Sequence, residues 1–302
     1  MYKLLDPYIL FSLAFIIIAV LLSSYTVIGF YVDYIKSPYH DLSEGVELTY
    51  YSHLHLRRGL GVAYVARIDI TYMGLDKYNV SLTLYKLEGL SSVGYRPLRE
   101  GGFRFEAGNV SVLCSCSKIL VYKNSSLIRL LMPRVGENTT VYNNLVYTGF
   151  NRSSYLGLGL LSIVYPEKYL GFARAYTGSL INTTSGRDVT LFKHFRINTF
   201  VRLGDYYVVY RISFFEPVVH SILLNEFGPD CPALNDIPRD VEPGPLGIPQ
   251  EIEYVVLNYT NTVPSDQAWL EVIWHNFNAL APFSYALVVA ALMLLILRAR
   301  KG

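Results

Sequence analysis

Charge is scarce in this chain. Only 17% of its 302 residues are Asp, Glu, Lys or Arg, and 26 basic side chains against 24 acidic ones leave a net charge of +2. That balance excludes the strongly basic domain expected of a nucleic-acid binder. Thiols are few as well: Cys114, Cys116 and Cys231 are the three, with no C-x-x-C among them. Glutamine occurs twice (Gln250 and Gln267), tryptophan twice and methionine four times. H-E-x-x-H, G-x-S-x-G, G-x-G-x-x-G and the Walker loop are all missing, so the chain lacks the marks of metalloprotease, hydrolase and nucleotide-binding chemistry.

What is present is apolar and aromatic. The hydrophobic set reaches 52%, tyrosine alone numbers 26, and mean hydropathy is +0.28. Disorder and charged coiled coil do not have this composition. Low Gln, Met and Cys content resembles thermophile proteins.

Two uncharged runs bracket the chain. Tyr8 to Tyr31 spans 24 positions, about 36 Å as a helix, long enough for a tilted bilayer crossing. A cleaved signal peptide would end after about 7–15 apolar residues at a small-residue site; this run continues through Tyr25, Phe30 and Tyr31. Ala279 to Leu297 is the second run, followed by Arg298, Arg300 and Lys301, with Trp269 and Trp274 upstream as interface anchors. The sequence therefore predicts a tail at 1–7, a transmembrane helix at 8–31, an extracytoplasmic domain at 33–265, an interfacial helix at 266–278, a second span at 279–297 and a basic tail at 298–302. By the positive-inside rule both termini are expected in the cytoplasm, with the main domain outside the cell and the lipid bilayer as a partner.

Seven N-x-S/T sequons lie between the runs, at Asn79, Asn109, Asn124, Asn138, Asn151, Asn182 and Asn258. Fifteen Asn and 37 Ser or Thr in 302 residues would supply about two by chance. N-linked glycans are the expected modification. Sequons, retained anchor and composition together resemble those of an archaeal cell-surface protein.

The exterior region reads as β. In 64–72, Tyr64, Ala66, Ile68, Ile70 and Tyr72 alternate with Arg67, Asp69 and Thr71, and Val80, Leu82 and Leu84 continue the pattern. Further strands are predicted at 47–55, 109–114, 118–123, 127–132, 141–148, 169–177, 188–198, 206–214, 217–224 and 252–259, with a turn at Leu203-Gly204-Asp205. The expectation is an all-β, antiparallel, sandwich-like domain, as one unit or as two divided near 150. Six of the 14 prolines fall in 228–250, which cannot be a central strand.

Candidate chemistry is thin. Cys114 or Cys116 is expected to bridge to Cys231, leaving an odd thiol that is free or joins two chains. His53-Leu-His55 has the spacing that puts two imidazoles on one strand face, a geometry that single zinc or copper sites use, with His194, His220 or a carboxylate completing the set. The reading this supports is a non-enzymatic, N-glycosylated surface protein, a structural, interaction or assembly subunit with other surface proteins or a second copy as partners. An extracytoplasmic metal or redox subunit using His53 and His55, and an accessory factor for assembly or export of surface proteins, are the alternatives.

Overall fold

The structure is a computed structural model, and it describes residues 6–30, 41–57, 61–89, 95–97, 103–105, 108–153, 175–190, 198–239, 253–262 and 285–300. Helix α1 (Pro7–Phe30) is followed by strands β1 (Glu47–Arg57), β2 (Val62–Tyr72) and β3 (Lys77–Glu88). A small ribbon, β4 (Tyr95–Pro97) with β5 (Phe103–Phe105), leads to the long β6 (Asn109–Val121). Helix α2 (Ser126–Leu131) precedes β7 (Thr140–Tyr142), β8 (Leu145–Ser153), β9 (Ala175–Asn182), β10 (Arg187–Asp188), β11 (Thr199–Leu203) and β12 (Tyr206–Phe214). Helix α3 (Val218–Phe227), a 3-10 turn (Pro232–Asp236) and β13 (Glu253–Thr260) follow, and the described chain ends in helix α4 at 285–300.

Antiparallel pairing joins eleven strands into one large open sheet, in the order β6-β3-β2-β1-β13-β12-β11-β9-β8-β7, with β10 on β9. The antiparallel β expectation holds, and the strands form one continuous sheet; position 150 lies inside β8. This sheet is strongly bent. Lys77, where β3 begins, and β12 are four strands apart, about 19 Å on a flat sheet. Yet the Tyr206 hydroxyl donates to Asp76 Oδ1 at 2.7 Å. The two halves therefore fold toward each other, and a single apolar cluster fills the space between them, from Ile68, Val80 and Leu82 on one side to Tyr147, Phe200 and Val208 on the other. Alternation in β2 and β3 produces this: Ala66, Ile68, Ile70, Val80, Leu82 and Leu84 are buried, while Arg67, Asp69 and Thr71 keep partial contact with water.

Two segments read as strands are helices. The stretch 127–132 is α2, and 217–224 is α3. Both are short and buried, and both have their first N–H groups satisfied by glutamates from elsewhere in the fold.

The membrane expectation is corrected. Among the described residues, no helix is long and apolar enough to cross a membrane. The predicted spans at 8–31 and 279–297, and the two-span cell-membrane location with cytoplasmic termini, are withdrawn on that finding. What these helices do is pair antiparallel. Ser12 Oγ donates to the Ala291 carbonyl at 3.0 Å, and Asp6 meets Arg298 at 2.6 Å. Trp269, Trp274, Lys301 and the predicted helix at 266–278 lie outside the described residues.

Candidate functional site

The half of the sheet that ends in β6 carries a helical cap on its inner face, and this cap is built by long-range capping. Helix α3 begins after Pro217, whose side chain has no oxygen to offer, so its first N–H groups need another acceptor. Glu253, fully buried on β13, supplies it: its carboxyl accepts from Val219 N at 2.7 Å and His220 N at 3.0 Å. Burial pushes this carboxyl up to about 8, against the pull of the backbone donors. The same device recurs one step on. Glu226, near the end of α3, accepts from Leu127 N at 2.9 Å and from Ser125 Oγ, while Ser125 itself caps α2 through Ile128 N. One glutamate thus starts α3, and a glutamate of α3 starts α2.

The cap is fastened to β6 through two residues of that strand, Cys114 and Lys118. Cys114 is bonded to Cys231 with Cα atoms 5.6 Å apart, within the ordinary disulfide range. Lys118 Nζ donates to the Glu226 carbonyl, reaches Asp230 at 3.9 Å and sits 5.0 Å from the centre of the Phe227 ring. His220 closes the unit through Nε2 to the Leu234 carbonyl at 2.8 Å, and burial holds its imidazole below the usual value. The proline-rich loop is thereby pinned to the sheet through Cys231, as expected. Cys116 is the free thiol, half-buried on the same face as Cys114, with burial raising its pKa.

His53 and His55 are not presented as an H-x-H pair. A bulge shifts the register between them, so His53 pairs with Val65 while His55 pairs with its neighbour Tyr64. Both rings are buried among aromatics: His53 stacks on Tyr254 at 5.2 Å, and His55 tilts against Tyr64 at 6.4 Å. Among the described residues no group of three or more His, Cys, Asp or Glu side chains is arranged to hold a metal; His194 lies outside them.

The sequon asparagines scatter over the surface. Asn79, Asn109, Asn124, Asn138 and Asn151 are exposed, Asn182 is half-buried, and Asn258 is buried on β13. Asn79 accepts from Ser117 Oγ at 3.2 Å across the outer face of β3 and β6, and Asn182 Oδ1 accepts from Thr184 N at 3.0 Å.

A second polar cluster joins the two halves of the sheet. Arg134 pairs with Asp76 at 2.7 Å, and Tyr206 donates to the other oxygen of the same carboxylate. Tyr122 and Tyr206 flank the guanidinium at 4.7 and 5.6 Å. Asp76 and Leu75 both have positive φ, 59° and 52°, which places that carboxylate at the tip of the β2–β3 turn.

Sequence reasoning missed Glu226, Glu253, Lys118 and Asp76. One signal was available for Glu253, the only charge in an otherwise uncharged strand, EYVVLNYT. Comparison with protein-family models, curated proteins and solved structures finds no match for this chain.

Proposed function

We propose that this protein is a non-enzymatic structural or interaction subunit of an extracytoplasmic assembly, N-glycosylated on its exposed sequons. The observation that carries the reading is the Cys114–Cys231 bond, which closes a separation of 117 residues and ties the helical cap to the edge of the sheet. Disulfides of this kind persist in oxidising compartments, and sequon glycans are added to exported chains. Five exposed sequon asparagines fit the same setting. Four further polar side chains serve the fold. Glu253 and Glu226 cap helices, while Asp76 and Arg134 hold the halves of the sheet together.

The test is purification of the full chain from its native source, with chemical cross-linking before lysis and identification of the linked chains. Stable stoichiometric partners, or linked copies of this chain, are the expected result. A chain recovered alone that turns over a substrate contradicts the proposal.

A further inference from the structure

Strand β6 exposes an unusual amount of apolar surface. Outside the two terminal helices, the exposed large apolar side chains among the described residues are Met73, Leu75, Tyr259 and five on β6: Val110, Val112, Leu113, Ile119 and Val121. β6 ends the strand path, paired with β3 along its whole length. Among the described residues no strand pairs with its other side. An open edge offers a row of N–H and C=O groups to another strand, and proteins usually blunt such edges with proline or charge. β6 has no proline, and its one charged residue, Lys118, is turned inward onto the cap.

The sequence of this edge is self-complementary about Cys116. In an antiparallel pair related by a two-fold axis perpendicular to the sheet, Cys116 faces its own copy and Ser115 faces Ser117. A bulge at Leu113, where β3 pairs Leu84 with Cys114 and Tyr85 with Val112, drops one residue from the alternation. Beyond it Val112 (60% exposed) faces Ile119 (59%), and Val110 (50%) faces Val121 (36%). Apolar meets apolar and serine meets serine. Moving the centre to Ser115 sets Val112 against Ser117, and moving it to Ser117 sets Ile119 against Ser115.

We propose that a second copy of this chain docks along β6, antiparallel, with the two-fold centred on Cys116. Such an isologous contact closes on itself and leaves neither copy with a free β6 edge. It stands on the geometry of the strand and does not depend on glycosylation. Directly opposed Cβ atoms lie about 4.5–5.5 Å apart, so the two Cys116 thiols come close enough to be linked. With molecular oxygen as oxidant and copper–phenanthroline as catalyst, the two thiols lose two protons and two electrons, one S–S bond forms, and the oxygen is reduced to hydrogen peroxide.

The test uses the full chain in sedimentation and in that oxidative cross-linking. The wild type is expected to form a dimer linked through Cys116. Val112→Lys or Ile119→Glu alone is expected to weaken dimerisation at least tenfold, and both sites are exposed enough to leave the fold intact. Mixing the two variants restores the dimer, because position 112 of one copy faces 119 of the other. A wild-type monomer at tens of micromolar, a dimer indifferent to Val112→Lys, or a mixture that stays monomeric overturns the proposal.

Discussion

Buried tyrosines show how much the setting of a single hydroxyl decides. Tyr50 and Tyr147 are both fully buried in the central cluster, and burial drives both phenols well above their ordinary pKa. Tyr147 donates to the Leu130 carbonyl at 2.7 Å, whereas the Tyr50 hydroxyl has no hydrogen-bond partner among the described residues. Removing a satisfied buried hydroxyl costs about 1 kcal/mol, while removing an unsatisfied one costs nothing or stabilises. Chemical denaturation is therefore expected to show Tyr147→Phe destabilised by about 1 kcal/mol and Tyr50→Phe unchanged or more stable. The Glu253 carboxyl gives a pH signature. Its folded value, about 8, lies above its ordinary 4.5, so the folded state keeps a proton that the unfolded chain releases. The stability it contributes is full below that lower value and is lost as pH rises toward 8. His220 runs the other way: its lowered pKa gives stability that is full above about 6.5 and fades as pH falls. Comparing the wild type with Glu253→Gln removes the histidine from the difference. The melting temperature of the wild type minus that of the variant should fall as pH rises from 5 to 8; a flat difference contradicts the assignment.

At the scale of elements, legibility followed local pattern. Alternation in 64–72 and 80–84 was visible because one side faces the core and the other faces water. Tyr206–Phe214 was read with its true bounds, and Gly204, at φ 55°, makes the turn before it. β6 was split in two because the Cys-Ser-Cys-Ser stretch has no hydrophobic period to join its halves. Helices α2 and α3 were read as strands because both are short apolar runs, and Val-Val-His-Ser-Ile of α3 is rich in β-branched residues as well. Tertiary burial and capping by Glu226 and Glu253 override that preference, and no local signal points to a cap 99 residues away. The register at the two histidines was illegible for a similar reason, since a bulge cannot be seen in H-x-H spacing. The disulfide follows from fewer constraints. Cys116 shares a strand face with Cys114, but Cys114 is the one that bonds to Cys231. Replacing Cys114 and Cys231 together by serine should cost about 2–5 kcal/mol in denaturant unfolding. A variant as stable as the wild type would show that the non-covalent contacts hold the cap without the bond.

The whole molecule is a bent open sheet enclosing its own core, with a helical cap fastened inside and two terminal helices paired antiparallel. Ser12 and Ala291 make the close approach of that pair, and the apolar runs that suggested membrane spans form it. The sequons divide by position: exposed acceptors such as Asn124 and Asn138 can carry a glycan on the finished fold, while Asn258 is buried on β13. The central claim is that this fold matures in an oxidising, glycosylating compartment as a subunit of an assembly. Its most direct test is the intact mass of the chain from its native source, taken without reductant after thiol alkylation, before and after deglycosylation, with the modified asparagines mapped. The account predicts one alkylatable thiol per chain, an intact Cys114–Cys231 link, glycan on exposed asparagines and none on Asn258. Three free thiols and a mass equal to the bare polypeptide would contradict it.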